Sequence, residues 1–433
     1  MWRALRDLPP RRTLLLGFAV LVVYGFPGYM STDSVNQLIE ARAGVLSSAH
    51  PPIMAKEWRF LDAIVAGPLL MLLAQGALFL GGLYRIFVRF VTPERAAWIA
   101  CAILVYPPVL TTMAVIWKDS QMAAWLVAGI AALLDERLRV RILGLVLLIV
   151  ACAFRHNAFA AVVPLVFFVF EWRNPVSWLR RITIMGGLSI ASVLLAIGIT
   201  RALAVDSVRL TPVIADVSGM IGFTRPRTDE DLRELLRGTN LFAQTDIQER
   251  AGRLYRLGGP YRLTQGEDRL FDHPHTEEHW ASLGRAWKEL FFADPGAYFA
   301  SHWFLYQRLL GIIEPARATV WDGFLEDGEQ RYSVMHDARQ GRIQRWIKTV
   351  CAFLADETPL FRPWIYAAIA LLLLVTSCRS RIGWAVLTSG ILYELTFFVA
   401  NADPDYRYSH WMVTSTCIGA AIVFLQRWKK RAT

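Results

Sequence analysis

The run TLLLGFAVLVVYGFPGY, residues 13–29, is the first long apolar stretch of the chain and decides the class of fold. Its length lies at the lower end of the roughly 17–25 apolar residues that carry a helix across a bilayer. Further runs of this kind follow, and the 433 residues are 55% hydrophobic and 19% charged. A soluble chain of this size is usually more polar. The sequence therefore predicts an all-α polytopic membrane protein.

Basic residues occur in short clusters between the apolar runs. A net charge of +10 is also compatible with a nucleic-acid-binding protein, but such proteins interleave basic and aromatic residues on one face. Clusters of Arg and Lys between apolar runs follow the positive-inside rule instead. This pattern predicts a multi-pass protein with both termini in the cytoplasm and no binding of nucleic acid.

The apolar runs between these clusters give about ten transmembrane helices. An N-terminal module, residues 1–203, is predicted to hold about seven of them, with a first outer loop at 31–60, a second span at 61–84 and a third at 96–117. A C-terminal module, residues 361–433, holds about three more. Both modules cross the same membrane, and the polar stretch that connects them therefore lies on one side of it.

That polar stretch, residues 204–360, is predicted to form one large extracytoplasmic region. Within it, residues 296–313 are apolar enough to be tested as a span. If they crossed the membrane, the later basic clusters would lie outside, against the positive-inside rule. We therefore expect 296–313, and also 342–354, to be interfacial helices on the outer leaflet.

The apolar runs 142–154 and 157–171 are too short for two straight spans. Arg155, His156 and Asn157 interrupt them. Non-helical backbone at membrane depth is tolerated only inside protein or against a water-filled cavity. These three residues are therefore predicted to line a cavity.

Four polar clusters lie at the predicted outer ends of the spans. Ionisable groups at such positions are costly unless they face a cavity or one another. Their mixture of carboxylates and cations suits a reaction in which an acceptor loses a proton and an anionic group departs. The clusters are Asp33 with Gln37, Glu40 and His50, Lys118 with Asp119, Arg155 with His156 and Asn157, and Asp403 with Asp405, Arg407 and Tyr408.

Each cluster also has a plainer interpretation. Thr32 or Asp33 before VNQLIE is typical of a helix N-cap. Lys118 with Asp119, and Arg407 with Tyr408, are typical of interfacial anchors. A lone histidine such as His156 is often a structural group. Arg155 is the hardest to explain as a solvated residue, and we expect it to clamp a phosphate.

Taken together, the motifs resemble a known superfamily. They are Asp33 in STDSVNQ, the HPP at 50–52, the triplet Trp117-Lys118-Asp119, the Arg155-x-Asn157 turn and the late Asp405-x-Arg407-Tyr408. This set is similar to that of the GT-C integral-membrane glycosyltransferases, and within them to bacterial relatives of the protein mannosyltransferases and the lipid A aminoarabinose transferase. The resemblance implies a GT-C-like fold in the bacterial inner membrane. It also implies transfer of a sugar from a polyprenyl-phosphate donor to a lipid, glycan or protein acceptor at a periplasmic active site.

The resemblance further implies roles for single residues. Asp33 becomes the general base, and Asp119 a second catalytic acid. Lys118, Arg155 and Arg407 attend the lipid phosphate. The remaining substrate-binding candidates are Glu40, His50, His156, Asn157, Asp405 and Tyr408. Ser34 follows Asp33 where the family has paired acids, so the metal dependence stays open between no cofactor and a divalent cation such as Mg²⁺ or Mn²⁺.

Two other functions use the same polar groups. A lipid or solute transporter carries polar sites near the membrane midplane on broken helices, usually with internal repeats, and no repeat is evident here. An O-antigen-type polymerase or ligase uses lipid-linked sugars with a glycan acceptor. The identity of the acceptor separates this enzyme from the main hypothesis.

Overall fold

The fold is described from a computed structural model of the chain. The described residues are 8–46, 50–170, 177–203, 212–321, 323, 340–376, 380–400 and 403–432. Within these ranges every regular element is a helix, and β-pairing is limited to three isolated bridges. The predicted all-α class is therefore confirmed.

The described residues form two compact units. The first comprises those within 1–208, 318–394 and 407–433. The second comprises those within 209–317 and 395–406. The predicted extracytoplasmic region 204–360 is thus distributed over both units, with 212–317 in the second and 340–360 in the first.

Most helices of the first unit lie in the N-terminal half of the chain. They are α1 Pro10–Gly25, α2 Thr32–Ala43, α3 Pro52–Asp62, α4 Leu69–Phe87, α5 Pro93–Val105, α6 Pro107–Met113, α7 Lys118–Leu133, α8 Leu138–Phe154, α9 Phe159–Val169 and α10 Trp178–Leu203. The second unit contains α11 Pro212–Phe223, α12 Asp229–Leu235, α13 Ile247–Leu257, α14 Glu277–Ala293 and α15 Pro295–Leu309. The chain then continues with α16 Arg342–Glu357, α17 Pro363–Thr376, α18 Arg381–Ala400 and α19 His410–Ala432.

Four of the described helical segments are long and apolar enough to cross a membrane. They are Leu69–Phe87, Ile182–Leu203, Arg381–Ala400 and Tyr406–Trp428. The pair α5 and α6 becomes a fifth if its two helices, bent by 72°, count as one span. These candidate spans fit a multi-pass membrane protein. Among the described residues they are fewer than the about ten spans that the sequence predicts.

Two predicted spans differ from the helices observed. The second span was expected over 61–84, but α3 ends at Asp62 and α4 begins only at Leu69. The third was expected as one helix over 96–117, and the structure breaks it at Tyr106. Pro107 follows Tyr106, and a residue before proline is pushed out of the helical conformation. Tyr106 accordingly has a ψ of 122°.

The predicted interruption between the two short apolar runs is present. α8 ends at Phe154, and Arg155 takes an extended conformation with φ −153° and ψ 119°. A single 3₁₀ turn, His156–Ala158, then leads into α9. The break leaves the side chain of Arg155 at a helix end rather than on a continuous helix face.

The predicted interfacial helix at 296–313 is observed as α15, Pro295–Leu309. One face of α15 is buried in the core of the second unit through Tyr298, His302 and Leu305. Phe299 and Trp303 lie on the opposite, exposed face. α15 is therefore a core element of its unit, and only this second face is left for the predicted contact with a bilayer.

Candidate functional site

The site is built where the start of α2 meets the segment that leads into α7. Two backbone hydrogen bonds join them: the N–H of Tyr29 donates to Ala114 O at 3.1 Å, and that of Ile116 donates to Tyr29 O at 2.9 Å. The two chain segments form an isolated parallel β-bridge at this point, between Tyr29 and Val115. This pairing holds the entrance of α2 beside the residue that begins α7, Lys118.

Side chains strengthen the same junction. Ser34 Oγ donates to Ile116 O at 2.7 Å, and Trp117 Nε1 donates to Ser31 Oγ at 2.8 Å. Ser31, Ser34 and Ile116 are all buried. The first turn of α2 is therefore fixed relative to Trp117 by two hydrogen bonds that water does not reach.

The N-cap of α2 is Ser31, whose own N–H donates to Ser34 Oγ at 3.2 Å. The interpretation of Thr32 or Asp33 as the N-cap is therefore wrong. Asp33 instead lies in the first helical turn, where a carboxylate also interacts favourably with the helix dipole. Because Ser31 supplies the cap, the Asp33 carboxylate projects toward other groups.

The carboxylate of Asp33 forms an ion pair with Arg407, with 2.8 Å between Oδ2 and Nη2. The Asp33 side chain is 30% exposed, whereas Arg407 is only 9% exposed. Burial opposes ionisation of Asp33, but the positive charges of Arg407 and Lys118 outweigh it. They hold the pKa of Asp33 well below its usual range, so that the carboxylate stays ionised.

A second ion pair lies next to the first. Arg155 Nη1 contacts Asp119 Oδ1 at 2.5 Å, and Arg155 Nε donates to Asn157 Oδ1 at 3.3 Å. Asp119 is almost fully buried, with its side chain 1% exposed. The break in the helix at Arg155 thus turns its guanidinium toward the first turn of α7.

Aromatic rings hold the two guanidinium groups in place. Arg155 lies 4.4 Å from the ring centre of Tyr408, and Arg407 lies 5.3 Å from the same ring. Arg407 is also 5.0 Å from the ring centre of Trp117. Such cation–π contacts orient a guanidinium without neutralising it. Tyr408 therefore joins the two ion pairs into one cluster.

Lys118 completes the cluster and differs from the two arginines. Its charge interacts with those of Arg155, Asp33, Arg407 and Asp119. Yet Lys118 forms no ion pair within 4 Å with any residue that the structure describes. Arg155 and Arg407 are thus each paired with a carboxylate, whereas Lys118 has no paired acid among the described residues.

Two histidines border the cluster. Burial lowers the pKa of His50 to about 4, and the nearby charges of Lys118 and Arg407 act in the same direction against the opposing effect of Asp33. His50 is therefore neutral at physiological pH. His156 lies within electrostatic reach of Lys118 and Arg155. The structure thus brings both predicted histidines to the cluster.

Two other predicted site residues are placed differently. Glu40 lies about two helical turns after Asp33 on the same helix. Asp405 belongs to the second unit, where its backbone pairs with Arg317, and the neighbouring Asp403 forms an ion pair with Arg317 at 3.0 Å.

One buried acid was missed by the sequence analysis. Glu394 of α18 is 1% exposed, and its Oε1 accepts a hydrogen bond from Ser409 Oγ at 2.7 Å. Its charge interacts with that of Arg155. Glu394 Oε2 and Asp119 Oδ2 are both buried without a hydrogen-bond partner among the described residues. An isolated Glu inside the apolar run around it was the available signal, because acids in such runs mark functional sites.

The side chains of this cluster are poorly suited to hold a bound metal ion. Among the described residues, no group of three or more His, Cys, Asp and Glu is arranged to hold an ion. Asp33 and Asp119, the acids considered for Mg²⁺ or Mn²⁺, are each bound to an arginine instead. The donor set present therefore fits an anionic ligand better than a divalent cation.

Comparison with known proteins adds no relative: the chain matches no family model, no curated protein and no solved structure. The functional proposal therefore depends on the geometry of the cluster together with the sequence resemblance.

Proposed function

We propose that the protein is a membrane glycosyltransferase of the GT-C type. It transfers a sugar from a polyprenyl-phosphate donor to a lipid, glycan or protein acceptor at the periplasmic face of the bacterial inner membrane. One observation carries the proposal: Lys118 has no ion pair among the described residues, in a cluster where Arg155 and Arg407 are each already paired with a carboxylate. A partly buried surplus charge is costly unless a counter-ion neutralises it, and the phosphate of a lipid donor supplies one.

The proposed membrane arrangement has about ten spans and both termini in the cytoplasm. α19 supports it, because the 19 residues from His410 to Trp428 rise about 27 Å, close to the thickness of the hydrocarbon layer. Arg407 precedes the first of these residues and Arg427 lies next to the last. The candidate site then lies at the outer surface, where a lipid-linked sugar is reached.

In this proposal Lys118 binds the donor phosphate first. Arg155 and Arg407 are each already paired with an acid. As the sugar–phosphate bond breaks, some of their N–H groups donate hydrogen bonds to the phosphate. Negative charge then develops on the leaving phosphate, and fixed cations in a partly dry site stabilise it. The carrier phosphate is the leaving group, so the step needs no ATP.

Asp33 acts on the acceptor. Its carboxylate is the most exposed group of the two ion pairs, and it orients an acceptor hydroxyl and receives its proton. The low pKa makes Asp33 a weak base. A weak base is sufficient when the transition state resembles an oxocarbenium ion, because bond breaking then runs ahead of attack by the hydroxyl.

Asp119 positions Arg155 through one oxygen. Its second oxygen and Glu394 Oε2 are buried acceptors suited to hydroxyl groups of the transferred sugar. The neutral His50 contributes a further uncharged hydrogen-bonding group. His156, Asn157 and Tyr408 complete the lining, and Glu40 lies farther along α2.

The test is an analysis of lipid-linked sugars in cells with and without the gene. We expect one polyprenyl-phosphate sugar to accumulate when the gene is absent, and expression of the wild-type protein to remove it. Lys118→Ala should fail to remove it, whereas Lys56→Ala, at an exposed lysine of α3, should succeed. If no such lipid changes in any strain, the proposed function is wrong.

A lipid or solute transporter is the second candidate, because the site lies at the helix break at Arg155. A polymerase or ligase would share the donor. Reconstituted protein separates the three: a transporter moves its substrate unchanged, a ligase requires a glycan acceptor, and the proposed enzyme releases polyprenyl phosphate with the other acceptors as well.

A further inference from the structure

A groove lies at the end of α19 that is remote from Arg407. It has a volume of about 810 Å³ and is formed by the turn between α4 and α5, the start of α5 and the last turns of α19. Binding sites for small molecules commonly measure about 300–1,000 Å³. The groove is therefore large enough to hold a ligand rather than a few solvent molecules.

The floor of the groove is apolar and aromatic. Trp98 of α5 is 38% exposed, and Phe424 and Trp428 of α19 are each 61% exposed. Ile99 and Leu425 complete this surface. These side chains would be expensive to leave in water, so the natural occupant is a hydrocarbon chain.

The rim of the groove is basic. Arg89 and Arg95 both line it. Arg89 is paired with Asp135 at 3.4 Å, whereas Arg95 forms no ion pair with a residue in the described part of the chain. Arg95 is also exposed. An apolar floor beneath an unneutralised arginine matches an amphiphile with an anionic head.

The level of the groove indicates which lipid reaches it. Trp428 lies about 27 Å along α19 from His410, so the groove and the candidate site lie at opposite headgroup levels of a bilayer. Tryptophan is enriched at such interfaces, and basic pockets on the cytoplasmic side bind anionic headgroups. This step rests on the membrane topology of the proposed function but not on sugar transfer.

We propose that the groove between α5 and α19 is a binding site for an anionic phospholipid of the cytoplasmic leaflet. The acyl chains pack along Trp98, Phe424 and Trp428. The phosphate binds Arg95, with Arg89 as a neighbouring cation. A polyprenyl-phosphate donor would occupy the other end of α19, so the two lipid sites are separate.

The test measures lipid binding to the full-length protein in detergent by native mass spectrometry. The probes are phosphatidylglycerol and phosphatidylcholine with identical acyl chains. We expect phosphatidylglycerol to bind about fivefold more tightly, since one basic residue near an anionic headgroup contributes about that factor. Arg95→Ala should abolish this preference. Arg139→Ala, at another exposed arginine of the basic segments between spans, should keep it.

A second variant separates loss of the groove from loss of charge. Trp428→Ala removes part of the floor and should weaken both lipids, while Arg95→Ala weakens only the anionic one. Equal binding of the two lipids by the wild type overturns the proposal. So does an equal loss in Arg139→Ala, which indicates diffuse charge, and so does displacement by millimolar inorganic phosphate, which indicates a soluble anion site.

The outcome is independent of sugar transfer. Asp33→Asn should leave phosphatidylglycerol binding unchanged even if it abolishes activity, because Asp33 pairs with Arg407 before the start of α19, whereas the groove lies at the last turns of α19. A failure of the lipid site therefore leaves the proposed function standing. Conversely, a protein without transferase activity can still bind the lipid.

Discussion

Asp33 Oδ2 and Arg407 Nη2 lie 2.8 Å apart, although one residue belongs to the second helix and the other to the turn before the last helix. The ion pair joins α2 to the turn before α19 near the start of α7, where Lys118 lies. Each partner keeps the other charged, because loss of either charge would leave a partly buried ion without compensation. The relationship makes Asp33 an ionised, oriented carboxylate rather than a strong base.

Replacing the carboxylate by its neutral isostere tests that role. Asp33→Asn should lower transfer activity by about 10²–10⁴-fold, the usual contribution of one positioned proton acceptor. Expression should persist, because the N-cap of α2 is Ser31 and remains intact. Product formation from the accumulated lipid-linked sugar measures the effect. Asp268→Asn, at an exposed acid paired with Arg253, is the matched control and should remain active.

The ion pair also predicts coupling between its two members. In a double-mutant cycle, Asp33→Asn and Arg407→Gln should show a coupling free energy of about 0.5–3 kcal/mol in donor binding. Each single change leaves one charge unpaired, whereas the double change removes both. Strictly additive effects would show that the two side chains act independently and that the pair is not formed in the protein.

Ser34 should matter for stability as well as for activity. Ser34→Ala removes the bond to Ile116 O and the acceptor for the Ser31 N–H, so we expect a loss of about 1 kcal/mol in the free energy of unfolding. Activity should fall with it, since Asp33 loses its fixed position. Ser192→Ala removes a hydroxyl that, among the described residues, bonds only to Leu188 O of its own helix, and should change little. Thermal unfolding in detergent measures both variants.

Asp33 and His50 predict the pH dependence of activity. The pKa of Asp33 is lowered, so its base form is lost only as the pH falls through a value below the usual one for Asp. The pKa of His50 is about 4, so His50 does not titrate near neutrality. His50→Gln should therefore leave the shape of the pH–rate profile between about pH 5.5 and 8 unchanged. A limb near pH 6.5 that disappears in His50→Gln would contradict the buried, neutral histidine.

Glu57 of α3 predicts the pH dependence of stability. Burial raises its pKa to about 7, and Glu57 Oε2 has no hydrogen-bond partner among the described residues. The folded state therefore prefers the protonated form. The contribution of Glu57 to the free energy of unfolding is complete below pH 4.5, the ordinary pKa of the group. It is lost as the pH rises through about 7. Glu57→Gln should flatten the melting temperature between pH 5 and 8, whereas Glu94→Gln should leave the wild-type slope.

Glu394 is expected to contribute to donor binding. Glu394→Gln can keep the bond from Ser409 but replaces a buried acceptor by an amide donor, so the KM for the donor should rise about tenfold. Stability should change little for the same reason. Glu136→Gln, at an exposed acid between α7 and α8, serves as the control. An unchanged KM would place Glu394 outside the substrate site.

Local patterns predicted the helical class and much of the cluster. Hydropathy, basic clusters and chain breakers depend on neighbouring residues, and so the interruption at Arg155 was visible in the sequence. The bend at Tyr106 was equally local, because Pro107 and Pro108 follow it, but the apolar run concealed it. Asp33, Lys118, Asp119, Arg155 and Arg407 were singled out because each ends or interrupts an apolar run.

What the sequence determined by itself is the set of apolar helices and the charged residues at their ends, because burial in lipid or protein imposes a pattern that neighbours along the chain must share. The tertiary structure alone decided the partners: Arg407 with Asp33, Arg155 with Asp119, and Lys118 with none in the part of the chain that the structure describes. It also assigned Asp405 to the second unit and placed Glu394 where its charge interacts with that of Arg155. Ion pairs form over a few ångströms between residues far apart in sequence, and no local pattern encodes that distance.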